Sequence, residues 1–255
     1  MRRFIFPILL LCWAVCAFSQ IIIRPLSVSS TLSNSIVAHW SLDETEGTRY
    51  DETDNNNDLT DYNTVGYATG KIGNCADFEY LNGMEYLGCD DNASLSFGPE
   101  ENFCIALWWN AEASAGNMPL VAKTDGDANS NIEYRILSQS LVPKFTTGNG
   151  TNATTVKAAS NFVVGTWVFV CAWYNTTTDS LYIQINDGTP NRVVATYEPH
   201  DGTDGFFLGY QKNTYYGYKL DGQMDEVSIF NRCPVSSNGF AMADSLYNGG
   251  LGWQP

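Results

Sequence analysis

Between residues 51 and 58 the chain reads Asp51-Glu52-Thr53-Asp54-Asn55-Asn56-Asn57-Asp58. The short side chains of Asp51, Asp54, Asn55, Asn57 and Asp58 keep oxygens close to the backbone. Calcium takes donors of this kind, about six to eight at a time. The same composition also makes an ordinary Asx-turn loop, and both readings stand at this stage. A second cluster, Lys212-Asn213-Thr214-Tyr215-Tyr216-Gly217-Tyr218, suits sugar recognition: tyrosine rings lie on the apolar face of a sugar while an amide binds its hydroxyls. Asn213, Tyr215 and Tyr216 are the expected ligand contacts. The alternative is that these tyrosines cover a sheet edge. Nucleophilic chemistry has little to work with. His39 and His200 are the only histidines, one inside the apolar Ala38-His39-Trp40, the other in the turn Pro199-His200-Asp201-Gly202. There is no Gly-x-Ser-x-Gly elbow, Cys171 has no histidine near it in sequence, and no Gly-rich loop is spaced to cradle phosphate.

With 28 acidic side chains against 13 Lys and Arg, the formal charge is −15. Nucleic acid is an unsuitable partner, because phosphate binding needs clustered cations, and so is an anionic membrane surface. The first residues have the layout of a secretory signal: Arg2 and Arg3, an apolar run from Phe4 to Phe18, then Ala17-Phe18-Ser19. Residues 1–19 are therefore expected to be a signal peptide, which makes the remainder secreted and extracellular. Ile21 to Ile23 lengthen the run to about that of a membrane span, so an uncleaved anchor is the alternative. Loss of the signal removes Cys12 and Cys16 and leaves Cys75, Cys89, Cys104, Cys171 and Cys233. An odd count in an oxidising compartment reads as two disulfides and one spare thiol. Cys75 and Cys89 flank Asn82-Gly83 almost symmetrically, and a hairpin closing there would set them opposite one another. Asn92, Asn149, Asn152 and Asn175 open Asn-x-Ser/Thr sequons.

The elements that must position these groups are strands. Residues 20–34 are Ser-rich and read as a linker. From Ser35 onward short apolar runs alternate with Gly, Asn and Asp clusters, the pattern of an all-β sandwich. Phe103, Ile105, Leu107 and Trp109 fall on one face of a strand. Trp167 to Tyr174 is apolar on both faces, so it belongs at the centre of a sheet covered from both sides. Leu181, Ile183 and Ile185 alternate with polar residues and run into Asn186-Asp187-Gly188, a hairpin turn. Only residues 239–248 carry helical spacing, enough for one or two turns.

Two segments carry a family resemblance. Ile36-Val37-Ala38-His39-Trp40-Ser41-Leu42-Asp43-Glu44 and Gly222-Gln223-Met224-Asp225-Glu226-Val227-Ser228-Ile229-Phe230-Asn231-Arg232 resemble the terminal strands of a laminin-G-like, concanavalin-A-like jelly roll. Gly70-Lys71-Ile72-Gly73-Asn74-Cys75-Ala76-Asp77-Phe78, the Trp108 and Trp167 strands and Leu246-Tyr247-Asn248-Gly249-Gly250 are similar to the family's intervening motifs, in the same order. The resemblance implies one two-sheet antiparallel jelly roll over residues 35–250, followed by a tail at 251–255. It implies that the first and last strands pair, carrying Asp225 toward the acidic loop, with a structural calcium on Asp51, Asn57 and Asp225. It also implies that the strands of Cys104 and Cys171 are neighbours, as in pentraxins, where those strands are tied. The expected bonds are then Cys75–Cys89 and Cys104–Cys171, with Cys233 free or intermolecular. Glycosidases share the fold, but their Glu-x-Asp-x-x-Glu strand is missing, so no enzyme is expected. The implied role is a secreted recognition or adhesion module for carbohydrate, or else for a protein surface. The alternatives are a structural component of a virion, envelope or matrix, and a divergent glycoside hydrolase.

Overall fold

The computed structural model describes residues 34–80, 83–114, 116–124, 131–211, 218–233 and 241–252. The expected signal peptide, and residues 20–33 of the linker, lie outside them. In chain order the strands are β1 (Ile36–Trp40), β2 (Thr60–Tyr62), β3 (Gly66–Thr69), β4 (Asn74–Phe78), β5 (Tyr86–Cys89), β6 (Phe103–Ala111), β7 (Asn117–Thr124), β8 (Ile132–Gln139) and β9 (Val142–Gly148). They continue as β10 (Ala153–Lys157), β11 (Trp167–Asn175), β12 (Ser180–Ile185), β13 (Asn191–Val194), β14 (Phe206–Leu208), β15 (Tyr210–Gln211), β16 (Tyr218–Lys219) and β17 (Gly222–Phe230), before helix α1 (Ala241–Tyr247).

One sheet runs β13-β12-β11-β6-β17-β4-β3, with β1 also paired to β17. The other runs β10-β9-β8-β7-β14-β5-β2, and β15-β16 form a separate two-stranded ribbon. The fold is the two-sheet antiparallel jelly-roll sandwich that the sequence implies. Strand alternation accounts for the two apolar clusters. Phe103, Ile105, Leu107 and Trp109 of β6 join Val168, Val170, Ala172 and Tyr174 of β11 in the core between the sheets. The opposite faces of these strands carry Cys104, Ala106, Trp108, Phe169, Cys171 and Trp173, and Ala243 and Leu246 of α1 cover them. Tyr247 stacks on Trp108 with centroids 5.7 Å apart. A strand apolar on both faces is stable only with both covered, and the short C-terminal helix is the second cover.

The terminal strands pair as expected, with His39 opposite Ser228 and Trp40 opposite Val227. Within β17 the register against β6 shifts between Asp225 and Ser228, and Glu226 takes a left-handed φ of 53°. Such a bulge re-aims side chains, and it lets Met224, Val227 and Ile229 all reach the core. The expected Asp187-Gly188 hairpin is present, joining β12 to β13. Asn82 of the expected Asn82-Gly83 hairpin lies outside the described residues, but the strands that flank it do not pair with each other. β4 pairs with β3 and β17, whereas β5 pairs with β2 and β14 in the other sheet, so Cys75 and Cys89 do not face each other across a ladder. Both are thiols here, and burial pushes each up to about 12.

Candidate ligand-binding face

The acidic loop is held by its own backbone. Asp51 Oδ1 accepts from the N–H groups of His39 and Thr53, each at 3.0 Å. Its Oδ2 accepts from Thr53 Oγ1 at 3.0 Å, Asn57 N at 2.9 Å and Asn57 Nδ2 at 3.2 Å. Asn57 Oδ1 accepts from Ser94 Oγ, and Asp58 Oδ1 accepts from Asp51 N. A carboxylate offers about four lone-pair sites, and donors already occupy those of Asp51. Asp225 is engaged elsewhere: its Oδ2 accepts from Ile72 N at 2.9 Å, in the turn between β3 and β4. Asp51, Asn57 and Asp225 thus do not gather into a donor set that fits calcium. Asp51 and Asn57 tie the Asx-type loop to β1, and Asp225 ties β17 to a different turn.

Among the described residues, His39 makes the one grouping with a nucleophilic look. Its Nδ1 lies 2.8 Å from Ser228 Oγ, and its Nε2 lies 3.5 Å from Glu226 Oε2. All three residues are buried, and burial lowers the imidazole's pKa. No substrate carbonyl can approach a hydroxyl enclosed in the β1–β17 ladder, so the group braces that ladder.

The tyrosine cluster expected at Asn213, Tyr215 and Tyr216 lies outside the described residues. Its two ends do not. Tyr210 and Gln211 of β15 pair with Lys219 and Tyr218 of β16, and next to them the outer face of the seven-stranded sheet carries an aromatic group that sequence reading missed. Phe206 and Leu208 face the core, so alternation turns Phe207 outward; Leu87 does the same for Tyr86. Tyr62 sits directly across from Tyr86, and their rings stack at 4.4 Å. Tyr86 stacks in turn on Tyr210 at 4.7 Å, and Phe207 meets both edge-on, at 5.8 and 6.0 Å. Tyr62 remains 41% exposed, so the outer end of the stack is open to solvent. Gly88 makes the layer possible, since a Cβ there would come within 2.6 Å of the Phe207 ring. Tyr86 and Phe207 were legible in principle as aromatic residues out of phase with the core positions of their strands. The stack was not, because β2, β5 and β15 are brought together only by the sheet and the ribbon.

One register row crosses this sheet: Thr60, Gly88, Phe207, Ala122, Arg135, Thr146 and Thr155 are successive partners. Arg135 is half-buried, and its Nη1 donates to Gln211 Oε1 at 3.2 Å. The rings and the cation thus lie in one register row, with Ala122 between them fully buried and the β15–β16 ribbon packed against its strand β7. The tryptophans are not part of it. Trp108, Trp109 and Trp173 are buried in the two clusters and Trp167 is half-buried beside the second.

No curated protein matches the sequence. Among solved structures the chain is similar to the binding domain of Paraclostridial Mosquitocidal Protein 1, with 14% identity and a TM-score of 0.67 over 85% of this chain and 52% of that one. It is similar to domain 4 of AbnA, a GH43 extracellular arabinanase from Geobacillus stearothermophilus solved with arabinotriose, at 17% identity and a TM-score of 0.60, covering 86% of this chain and 98% of that one. The botulinum neurotoxin DC binding domain in complex with rat synaptotagmin II matches at 13% identity and a TM-score of 0.64, over 86% and 52%. The chain spans about half the length of the two toxin domains. At these identities the likeness is one of fold. A sequence profile matches residues 85–237, more than half of the chain. The chain belongs to the concanavalin A-like lectin/glucanases superfamily.

Proposed function

We propose that this protein is a secreted, non-catalytic recognition module that binds carbohydrate on the outer face of its seven-stranded sheet. The observation that carries the reading is the open stack of Tyr62, Tyr86 and Tyr210 with Phe207 at its edge. None of these four rings, three on the sheet's outer face and one on the β15–β16 ribbon, belongs to a core cluster. Rings held by neighbouring strands offer the flat apolar surface on which sugar rings lie, and preorganisation lowers the entropy lost on binding. Similar folds support it: the arabinanase domain was solved with arabinotriose, and the toxin domains are binding domains. A protein surface is the second reading, supported by the synaptotagmin complex of a similar fold. Catalysis has less support, because the Ser228–His39–Glu226 grouping is enclosed.

The test is a glycan array followed by titration of the strongest hit. Each aromatic contact contributes about 0.5–1.5 kcal/mol beyond area burial, so Tyr86→Ala should weaken binding several-fold with little change in melting temperature. A hit unaffected by both Tyr62→Ala and Tyr86→Ala would place the site elsewhere.

A further inference from the structure

One side of the sandwich is formed by the last strand of each sheet, β10 of the seven-stranded sheet and β13 of the eight-stranded one. A groove of about 340 Å³ lies between them, lined by residues of β9, β10 and β13. Phe145 and Val156 face the core, so alternation turns Lys144 and Lys157 outward, where they are direct register partners. Arg192 of β13 lines the groove from the other sheet. Lys157 and Arg192 are exposed and Lys144 is half-buried, so solvent reaches all three.

Three cations thus share one groove in a chain with 28 acidic side chains against 13 Lys and Arg, and no residue lining it is acidic. Elsewhere Lys123 meets Asp91 and Glu133, and Arg49 faces Asp61. Among the described residues Lys144, Lys157 and Arg192 make no ion pair. Like charges directly opposite one another on neighbouring strands weaken a sheet, so the Lys144–Lys157 pair is a cost to the folded chain. Lysine on an edge strand deters edge-to-edge pairing, and that accounts for Lys157. It does not account for Lys144, because β9 is an inner strand. Nor does it account for Arg192, which is held on its own sheet by bonds from Nε to Ser180 Oγ at 3.0 Å and from Nη2 to Thr178 O at 3.3 Å. The partners of Lys144 and Arg192 are neutral: the lysine donates to Gln139 Oε1.

The apolar part of the groove is aliphatic. Val156 is buried at its floor, and Val193 beside it is 39% exposed. No aromatic ring lines it, so it lacks the flat face on which a sugar ring lies. Cations around exposed valine suit an extended chain that carries carboxylates and small apolar side chains together. We propose that this groove docks an acidic, extended peptide segment of a partner protein, its carboxylates on Lys144, Lys157 and Arg192 and a small apolar side chain against Val193. The site is separate from the tyrosine stack and does not rest on the carbohydrate reading. The chain's overall negative charge repels acidic partners from its other faces, and local complementarity supplies the selectivity.

The experiment screens the full chain against an array of extended peptides in which Asp or Glu alternates with Val, Ala or Thr, beside the same peptides carrying Asn or Gln for the acids. The strongest acidic hit is then titrated in solution. It should bind about tenfold or more tighter than its amide twin, and raising salt from about 0.05 to about 0.5 M should weaken it. Lys144→Gln, Lys157→Gln and Arg192→Gln should each cost about two- to fivefold, the scale of an exposed ion pair. The triple variant should bind the acidic peptide no better than the amide one, while Tyr86→Ala changes nothing. The absence of any acidic hit, equal affinity for the acidic and amide forms, or an acid preference that survives the triple variant would overturn the proposal. So would a heparin tetrasaccharide that binds through the same cations more tightly than any peptide, which would make the groove a polysaccharide site. Self-association lost in the triple variant would assign it to a second copy of the chain instead. The comparison of acidic and amide peptides on the native chain needs no variant, so a variant that fails to fold leaves the test intact.

Discussion

Asp225 and Ile72 are separated by 153 residues, yet the Asp225 carboxylate accepts a hydrogen bond from Ile72 N at 2.9 Å. The closing strand is thereby fastened to the β3–β4 turn. Gly70 belongs to the same contact, because a Cβ at that position would lie 2.6 Å from Asp225 Oδ2 and 2.2 Å from Asn74 O. Two sequence motifs, Gly70-Lys71-Ile72-Gly73 and Met224-Asp225-Glu226-Val227, are the two halves of one interaction.

Burial, with a contribution from the nearby Asp43 charge, raises the Asp225 carboxyl to about 7 against the opposing effect of the Ile72, Lys71 and Glu226 N–H groups. Its folded pKa therefore lies above its unfolded one. The stability it contributes is fully present below about pH 4 and is lost as pH rises through about 7. Asp225→Asn removes that dependence. Relative to the native chain, Asp225→Asn should gain stability as urea melts are repeated from pH 5 to about 7, and the gain should level off by pH 8. A constant gap across that range would mean the carboxyl titrates normally.

Calcium gives a sharp test of the acidic loop. Donors from His39, Thr53 and Asn57 already hold both Asp51 oxygens, and the Asx-loop reading predicts that chelation with EDTA leaves the melting temperature unchanged. An ion bound at a hundredfold excess over its dissociation constant would stabilise by about 2.7 kcal/mol. A drop of several degrees on chelation would restore the calcium reading. Asp51→Ala should be destabilising by about 1–3 kcal/mol either way, through its unpaired buried N–H groups.

Cys104 and Cys171 lie on adjacent strands with their sulfur atoms 3.4 Å apart. Cys233 donates to Asn102 Oδ1 and to Tyr174 O, each at 3.0 Å. On oxidation, non-reducing peptide mapping should find Cys104 joined to Cys171. Cys75 and Cys89 should stay unbonded to each other, since Ala76 and Phe78 of β4 face the core and alternation turns Cys75 outward, whereas Cys89 packs against the core from the other sheet. A Cys75–Cys89 bond would contradict the facing of β4 or β5.

Lys123 neutralises Glu133 in the interior while also meeting Asp91 and the carbonyl of Asp204. Removing one partner of a buried pair strands the other's charge, at a cost of about 3–5 kcal/mol. Lys123→Ala should be destabilising on that scale in chemical denaturation. Lys123→Ala combined with Glu133→Gln should recover a substantial part of the loss. No recovery would show that the lysine acts through packing.

Strand periodicity was enough to identify a sandwich, because apolar alternation at Phe103–Trp109 and apolarity on both faces of Trp167–Tyr174 admit few other arrangements. The terminal motifs were equally legible, since Trp40, Asp43, Asp225 and the bulged Glu226 serve local geometry that recurs wherever the two end strands pair. The reading went astray where the answer depended on which strands become neighbours. Asn82-Gly83 looks like a hairpin whether its flanking strands share a sheet or not. The stack of Tyr62, Tyr86 and Tyr210 joins β2, β5 and the β15–β16 ribbon, and Arg135 falls in one row with Phe207 only through register across β7 and β14. Local sequence determines which way a side chain points from its strand. Only the assembled sheets decide what it meets there, because those neighbours are fixed by pairing between segments far apart in the chain.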